Sequence, residues 1–111
     1  MVLAGVDLSH VGPRFGDEGE ITPELEKSIE AEDRKSLERA VNLDADEFYM
    51  SVVADGHWRR VCGLSALYTA LRLIGSLTPD GSRPGKLLTY GQSPDPMGGI
   101  VSYAGAIFPS A

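Results

Sequence analysis

The chain has 111 residues, a formal net charge of −6 and one cysteine. This length supports one domain at most, able to bury roughly 65% of its unfolded surface. The acidic balance argues against nucleic acid as a partner, because phosphate-backbone binding relies on clustered Lys and Arg. A lone cysteine excludes an intrachain disulfide, and neither a signal-peptide pattern nor an apolar run of 18 residues is present, so a cytoplasmic protein with no membrane segment is expected.

In chain order, the apolar run Val2-Leu3-Ala4-Gly5-Val6 predicts a strand. Apolar on both faces, such a strand suits the interior of a covered parallel sheet and needs neighbours on either side. It ends in Asp7-Leu8-Ser9-His10 and breaks at Gly12-Pro13, which delivers a carboxylate and an imidazole to its C-terminal end. In open α/β sheets ligands bind beyond the carboxyl ends of the strands, so this position makes Asp7 and His10 metal-binding or proton-handling candidates.

The loop over residues 12–19 is glycine-rich but lacks the Gly-Lys-Ser/Thr ending of a phosphate loop. Arg14 within it can hold an anion or pair with the acidic stretch. Thr22-Pro23-Glu24 reads as a helix start, with Thr22 as N-cap and Pro23 at the first helical position. Leu25 with Ile29 and Leu37 with Val41 give apolar i,i+4 pairs, and Asp33 is read as a restart after a bend. Asp44 with Glu47 forms a capping box for a second helix, ended by Asp55-Gly56.

His57 falls in the polar connection that follows and is read as a surface residue whose replacement by alanine costs no more than about 0.5 kcal/mol. A third helix is expected from residues 61–63 to about Ser76, its buried stripe formed by Leu64, Leu67, Tyr68, Leu71 and Ile74. At its head, the helix dipole and nearby Arg59 and Arg60 are expected to lower the thiol pKa of Cys62 and make it a ligand or redox candidate. Ser65 lacks the second glycine of a nucleophile elbow and falls inside the helix. Pro79-Asp80-Gly81 reads as a stop and turn, and extended segments over about residues 86–92 and 100–108 are short-looped enough to pair antiparallel. Tyr90, Gln92, Ser93 and Tyr103 place polar groups at their ends. The element order is β-α-α-α-β-β.

Four motifs resemble the C-terminal part of the Memo-like proteins, whose prokaryotic members are called AmmeMemoRadiSam system protein B. They are Asp7-Leu8-Ser9-His10-Val11-Gly12-Pro13-Arg14-Phe15, Val61-Cys62-Gly63, Tyr90-Gly91-Gln92-Ser93 and Val101-Ser102-Tyr103-Ala104-Gly105-Ala106. The resemblance spans Val2 to Phe108. It implies an α/β fold, part of a three-layer sandwich related to the class III extradiol dioxygenases, and a pocket where N-terminal histidines join the residues matching Asp7, His10 and Cys62. It also implies iron or copper as cofactor, redox chemistry, and association with a radical S-adenosylmethionine protein. Imidazole, carboxylate and thiolate on one site suit a first-row transition metal.

The family's N-terminal histidines have no counterpart here, and His57 precedes the Cys62 segment instead of following an N-terminal strand. The chain is therefore read as the C-terminal segment of a single Memo-like domain over residues 1–111, contributing metal ligands Asp7, His10 and Cys62, the last two also as catalytic groups. It is expected to be inactive until the N-terminal half completes it. Two alternatives are a metal-free module binding a peptide or small ligand through Arg14, Tyr90 and Gln92, and an extradiol-type ring-cleaving oxygenase when full length.

Overall fold

The computed structural model describes residues 1–77 and 83–109. Strand β1 (Val2–Val11) is followed by a 3-10 turn (Pro13–Phe15), helices α1 (Pro23–Val41), α2 (Ala45–His57) and α3 (Leu64–Leu77), and strands β2 (Lys86–Pro94) and β3 (Ile100–Phe108). The order is the one the sequence predicts; the turn expected at Pro79-Asp80-Gly81 lies outside the described residues. No helix among the described residues is long and apolar enough to cross a membrane.

Local chemistry sets the helix boundaries. Thr22 Oγ1 accepts the Leu25 amide at 3.1 Å with Pro23 in the first turn of α1, and the Asp44 carboxylate accepts the Glu47 amide at 3.3 Å at the start of α2. Each satisfies an amide that the helix itself leaves without a partner. At the other end of α2 the backbone leaves helical angles at Ala54, Asp55 and Gly56, as the Asp-Gly pair requires. The expected break at Asp33 is absent: α1 is continuous, and Asp33 is fully buried.

The sheet corrects a second expectation. Its order is β1-β3-β2, and both pairings are antiparallel. The five-residue connection from Asp95 to Gly99 folds β3 back along β2, and β3 then inserts between β2 and β1, so no parallel pairing arises among the described strands. The start of β1 is not enclosed on both faces either, with Leu3 69% exposed.

The three described helices lie on one face of the sheet, α1 and α3 against the strands and α2 against α1 and α3. Leu8, Ala104, Ala106 and Phe108 from the strands join Leu37, Ala40, Phe48, Val52, Val61, Leu67, Leu71 and Ile74 in one core. The α3 stripe that the sequence predicts is the buried one at Leu67, Leu71 and Ile74. The opposite face carries Tyr103, whose ring lies over Gly91 where a Cβ would have no room. It is open to solvent.

Candidate metal centre

In a regular strand, residues three apart point to opposite faces. Asp7 and His10 escape that rule because β1 is bulged between them: Asp7 lies opposite Tyr103 and His10 opposite Val101, so three steps on β1 match two on β3. Val101 and Tyr103, two apart on an unbroken strand, share a face, and their cross-strand partners share it with them. Leu8 and Ser9 fill the bulge and both turn inward, Leu8 into the core and Ser9 onto α1. The bulge thus aims Asp7 and His10 together at the side of the sheet away from the helices.

Cys62 reaches them from the connection between α2 and α3. Residues Arg59 to Gly63 run along the free edge of β1, with the His10 amide on the Arg59 carbonyl (2.6 Å), the Cys62 amide on the Leu8 carbonyl (3.3 Å) and the Gly63 amide on the Asp7 carbonyl (3.0 Å). Gly63 makes that approach possible, since a Cβ there would lie 2.7 Å from the Asp7 carbonyl oxygen. The outcome is that one ligand atom from each of Asp7, His10 and Cys62 lies within 4.8 Å of the others. Ligand atoms sharing one ion at about 2.0–2.3 Å sit within roughly 4.5 Å of each other, so small side-chain rotations suffice to close the set.

The imidazole is already oriented. His10 Nδ1 faces the Leu8 carbonyl at 2.9 Å and the Arg60 carbonyl at 3.1 Å. Carbonyl oxygens only accept, so Nδ1 carries the proton and Nε2 is left with its lone pair, the arrangement that metal-binding histidines use. Phe15 packs its ring edge to face with His10 at 5.3 Å and steadies the plane.

The thiol differs from the sequence expectation. Burial pushes the Cys62 thiol above its ordinary value, and the nearby Asp7 carboxylate pushes it further in the same direction. The arginines expected to favour thiolate are engaged elsewhere: Arg59 is buried against Asp33 at 2.7 Å, and Arg60 forms a forked pair with Asp17 at 2.8 Å. Cys62 also precedes α3 by two residues, outside its first turn. It lies exposed, with Sγ 3.7 Å from the Asp7 carbonyl.

Tyr90 and Gln92 meet, the Gln92 amide donating to Tyr90 Oη at 3.2 Å, but Arg14 is not brought to them around a shared opening. Arg14 pairs with the buried Asp95 carboxylate at 3.2 Å, Tyr90 donates its hydroxyl to Asp33 at 2.6 Å, and the Gln92 amide donates to the Glu26 carbonyl at 3.2 Å. A cleft of about 310 Å³ near Glu20, Glu26 and Asp95 includes Gln92 in its wall but neither Arg14 nor Tyr90. His57 is half-buried, and its Nε2 accepts the Val61 amide at 3.0 Å, so it braces the segment carrying Cys62 instead of lying free on the surface.

Sequence reasoning missed the polar cluster behind the site. The Asp33 carboxylate accepts from Ser9 Oγ (2.5 Å), Arg59 (2.7 Å), Tyr90 Oη (2.6 Å) and Ser102 Oγ (2.6 Å). Arg59 in turn donates to Ser36 Oγ and the Ser51 carbonyl. One signal was available: Ile29, Asp33, Ser36, Leu37 and Ala40 share a helical face, so a carboxylate interrupts an otherwise core-facing stripe.

An α/β chain with a carboxylate, an imidazole and a thiol joined at a bulged strand defines the class of protein, and comparison with known sequences places it. The Memo-like protein family profile matches residues 1–107, and the chain belongs to that family. It is similar to a MEMO1 family protein of Aquifex aeolicus (strain VF5), with 29% identity over 109 residues. That alignment covers 97% of this chain and 27% of the relative, so the chain spans about a quarter of the length of the curated relative it matches.

Proposed function

We propose that this chain supplies Asp7, His10 and Cys62 as ligands to a redox site for iron or copper, completed by histidines from the N-terminal half of a longer Memo-like domain. The observation that carries this reading is the convergence of the three donor atoms within 4.8 Å on an imidazole whose Nδ1 is already tied to backbone carbonyls. The donor set combines soft sulfur with imidazole and carboxylate, which favours a first-row transition metal over magnesium or calcium. A bound iron or copper ion would supply one-electron chemistry at this place. His10 holds the ion through Nε2, Cys62 gives up its proton to bind, and Asp7 either binds directly or fixes its neighbours.

The position of the cluster supports the same reading. It opens at the strand edge and on the sheet face away from the helices, where Leu3 and Tyr103 are exposed. Further protein covering that face would complete a three-layer arrangement of the extradiol-dioxygenase type and bring its ligands to the ion. Three protein ligands with open positions are what a non-haem iron site needs.

Anaerobic equilibrium dialysis tests the proposal, with Cu(I) and Fe(II) offered separately and bound metal measured per chain. Close to one ion per chain is expected, lost in His10→Ala and Cys62→Ala and weakened about 10–100-fold in Asp7→Asn if that residue orients rather than binds. A longer protein with the N-terminal half in place that retains neither metal, or variants that bind as well as the parent, would overturn it.

A further inference from the structure

Asp33 lies on α1, on the far side of the sheet from the cluster, and touches none of the three candidate ligands. Both chain segments that form the cluster are nevertheless tied to its one carboxylate. On the strand side, Ser9 in the bulge donates its hydroxyl to Oδ1, while its amide donates to Ser102 Oγ (2.9 Å), which donates onward to Oδ2. On the connection side, Arg59 donates to Oδ1, and its carbonyl accepts the His10 amide. Ser9 precedes His10, and Arg59 begins the run along the β1 edge that ends at Cys62 and Gly63. All of these polar groups are buried, and no buried side-chain nitrogen or oxygen among the described residues lacks a partner. A satisfied buried network of this kind fixes one geometry, because any displacement leaves a charge or donor unpaired in a low-dielectric interior.

We propose that Asp33 is the positioning residue of the site: with Arg59 and Ser9 it clamps the β1 bulge to the 59–63 connection, holding Asp7, His10 and Cys62 face to face. The proposal rests on reading that cluster as a metal centre, and its test separates the two ideas. Asp33→Asn leaves Arg59 unpaired in the core and threatens the fold, so the informative variant is Ser9→Ala, which cuts one link between carboxylate and bulge. Ser51→Ala is the matched control. Its hydroxyl belongs to the same cluster but bonds Ser36 Oγ and the Phe48 carbonyl rather than β1 or the connection, and the Ser51 carbonyl that accepts from Arg59 is backbone that alanine keeps.

Two readouts are taken on the 111-residue chain. Co(II), used alone as a spectroscopic probe, reports affinity and the thiolate-to-metal charge-transfer band; amide hydrogen exchange of His10, Cys62 and Gly63 reports the clamp without metal. Ser9→Ala is expected to weaken Co(II) binding about 10–100-fold, to shift or lose the thiolate band, and to speed exchange at those three amides beyond any global change. Ser51→Ala is expected to leave binding within about threefold, since an effect confined to stability does not alter the geometry of folded molecules. Equal effects of the two substitutions on band, affinity and exchange would overturn the positioning role. Selective exchange in Ser9→Ala with no Co(II) bound even by a longer protein with the N-terminal half in place would overturn the metal reading and support the clamp.

Discussion

The Gly63 amide donates to the Asp7 carbonyl at 3.0 Å, and the two backbones approach so closely that a Cβ on Gly63 would stand 2.7 Å from that oxygen and 3.0 Å from Val6 Cβ. Neither contact is with the yielding end of a long side chain. Gly63→Ala is therefore expected to force the connection off the strand edge, at about 1–3 kcal/mol as overpacking of a tight contact costs. Chemical denaturation measures the loss, and dialysis should show metal binding falling with it. An alanine variant as stable as the parent would mean that the strand and the connection do not meet this closely.

His57 gives an expectation of the opposite sense to a surface reading. Its ring accepts the Val61 amide, one residue before Cys62, and its own backbone sits at φ 56°. Alanine removes the acceptor and leaves a buried amide without a partner, so His57→Ala should cost about 1–3 kcal/mol. A urea midpoint unchanged from the parent would restore the surface assignment.

Much of this fold is legible in the residues. Thr22-Pro23 and Asp44 with Glu47 announce their helices because capping is local chemistry, and the α3 stripe follows from helical period alone. The approach of Cys62 to Asp7 and His10, more than fifty residues earlier, is implied by the family resemblance and not by any local signal. Strand order was not legible, because an apolar strand reads alike whether its neighbour runs parallel or antiparallel. The bulge was hidden as well: Leu8-Ser9 carries no glycine or proline to mark it, and what turns Ser9 inward is Asp33, 24 residues away. The thiol was misjudged for the same reason, since sequence proximity of Arg59 and Arg60 says nothing about the carboxylates that claim them.

Tyr90 carries a pH signature of the buried cluster. Burial raises its phenol well above the usual tyrosine value, and the hydrogen bond to Asp33 and that carboxylate's charge raise it further. The folded-state value exceeds the unfolded one, so the stability tied to the protonated phenol is complete below about pH 10 and is lost as pH rises past it. Tyr90 should resist alkaline titration until the protein unfolds, and Tyr90→Phe should remove that lagging phase. A phenol that titrates at the ordinary tyrosine value in the folded chain and is missing from Tyr90→Phe would contradict the burial of this hydroxyl.

Cys62 carries another. Raised by burial and by Asp7, the free thiol stays protonated at neutral pH, and a metal must displace that proton to bind. Below the thiol's own value, affinity should rise about tenfold per pH unit for this one proton. Alkylation by iodoacetamide should be slow near pH 7 and faster in Asp7→Asn, where the repelling charge is gone. Metal affinity independent of pH across the neutral range would exclude the thiolate as a ligand.

X-ray absorption at the metal edge of the copper- or iron-loaded chain tests most directly whether Asp7, His10 and Cys62 act as one site. The expected spectrum contains one sulfur scatterer at about 2.3 Å together with the outer-shell pattern of an imidazole, near the distances such ligands take on first-row metals. Loss of the sulfur shell in Cys62→Ala and of the imidazole pattern in His10→Ala would complete the assignment. A first shell of oxygen and nitrogen alone, unchanged by either substitution, would contradict it.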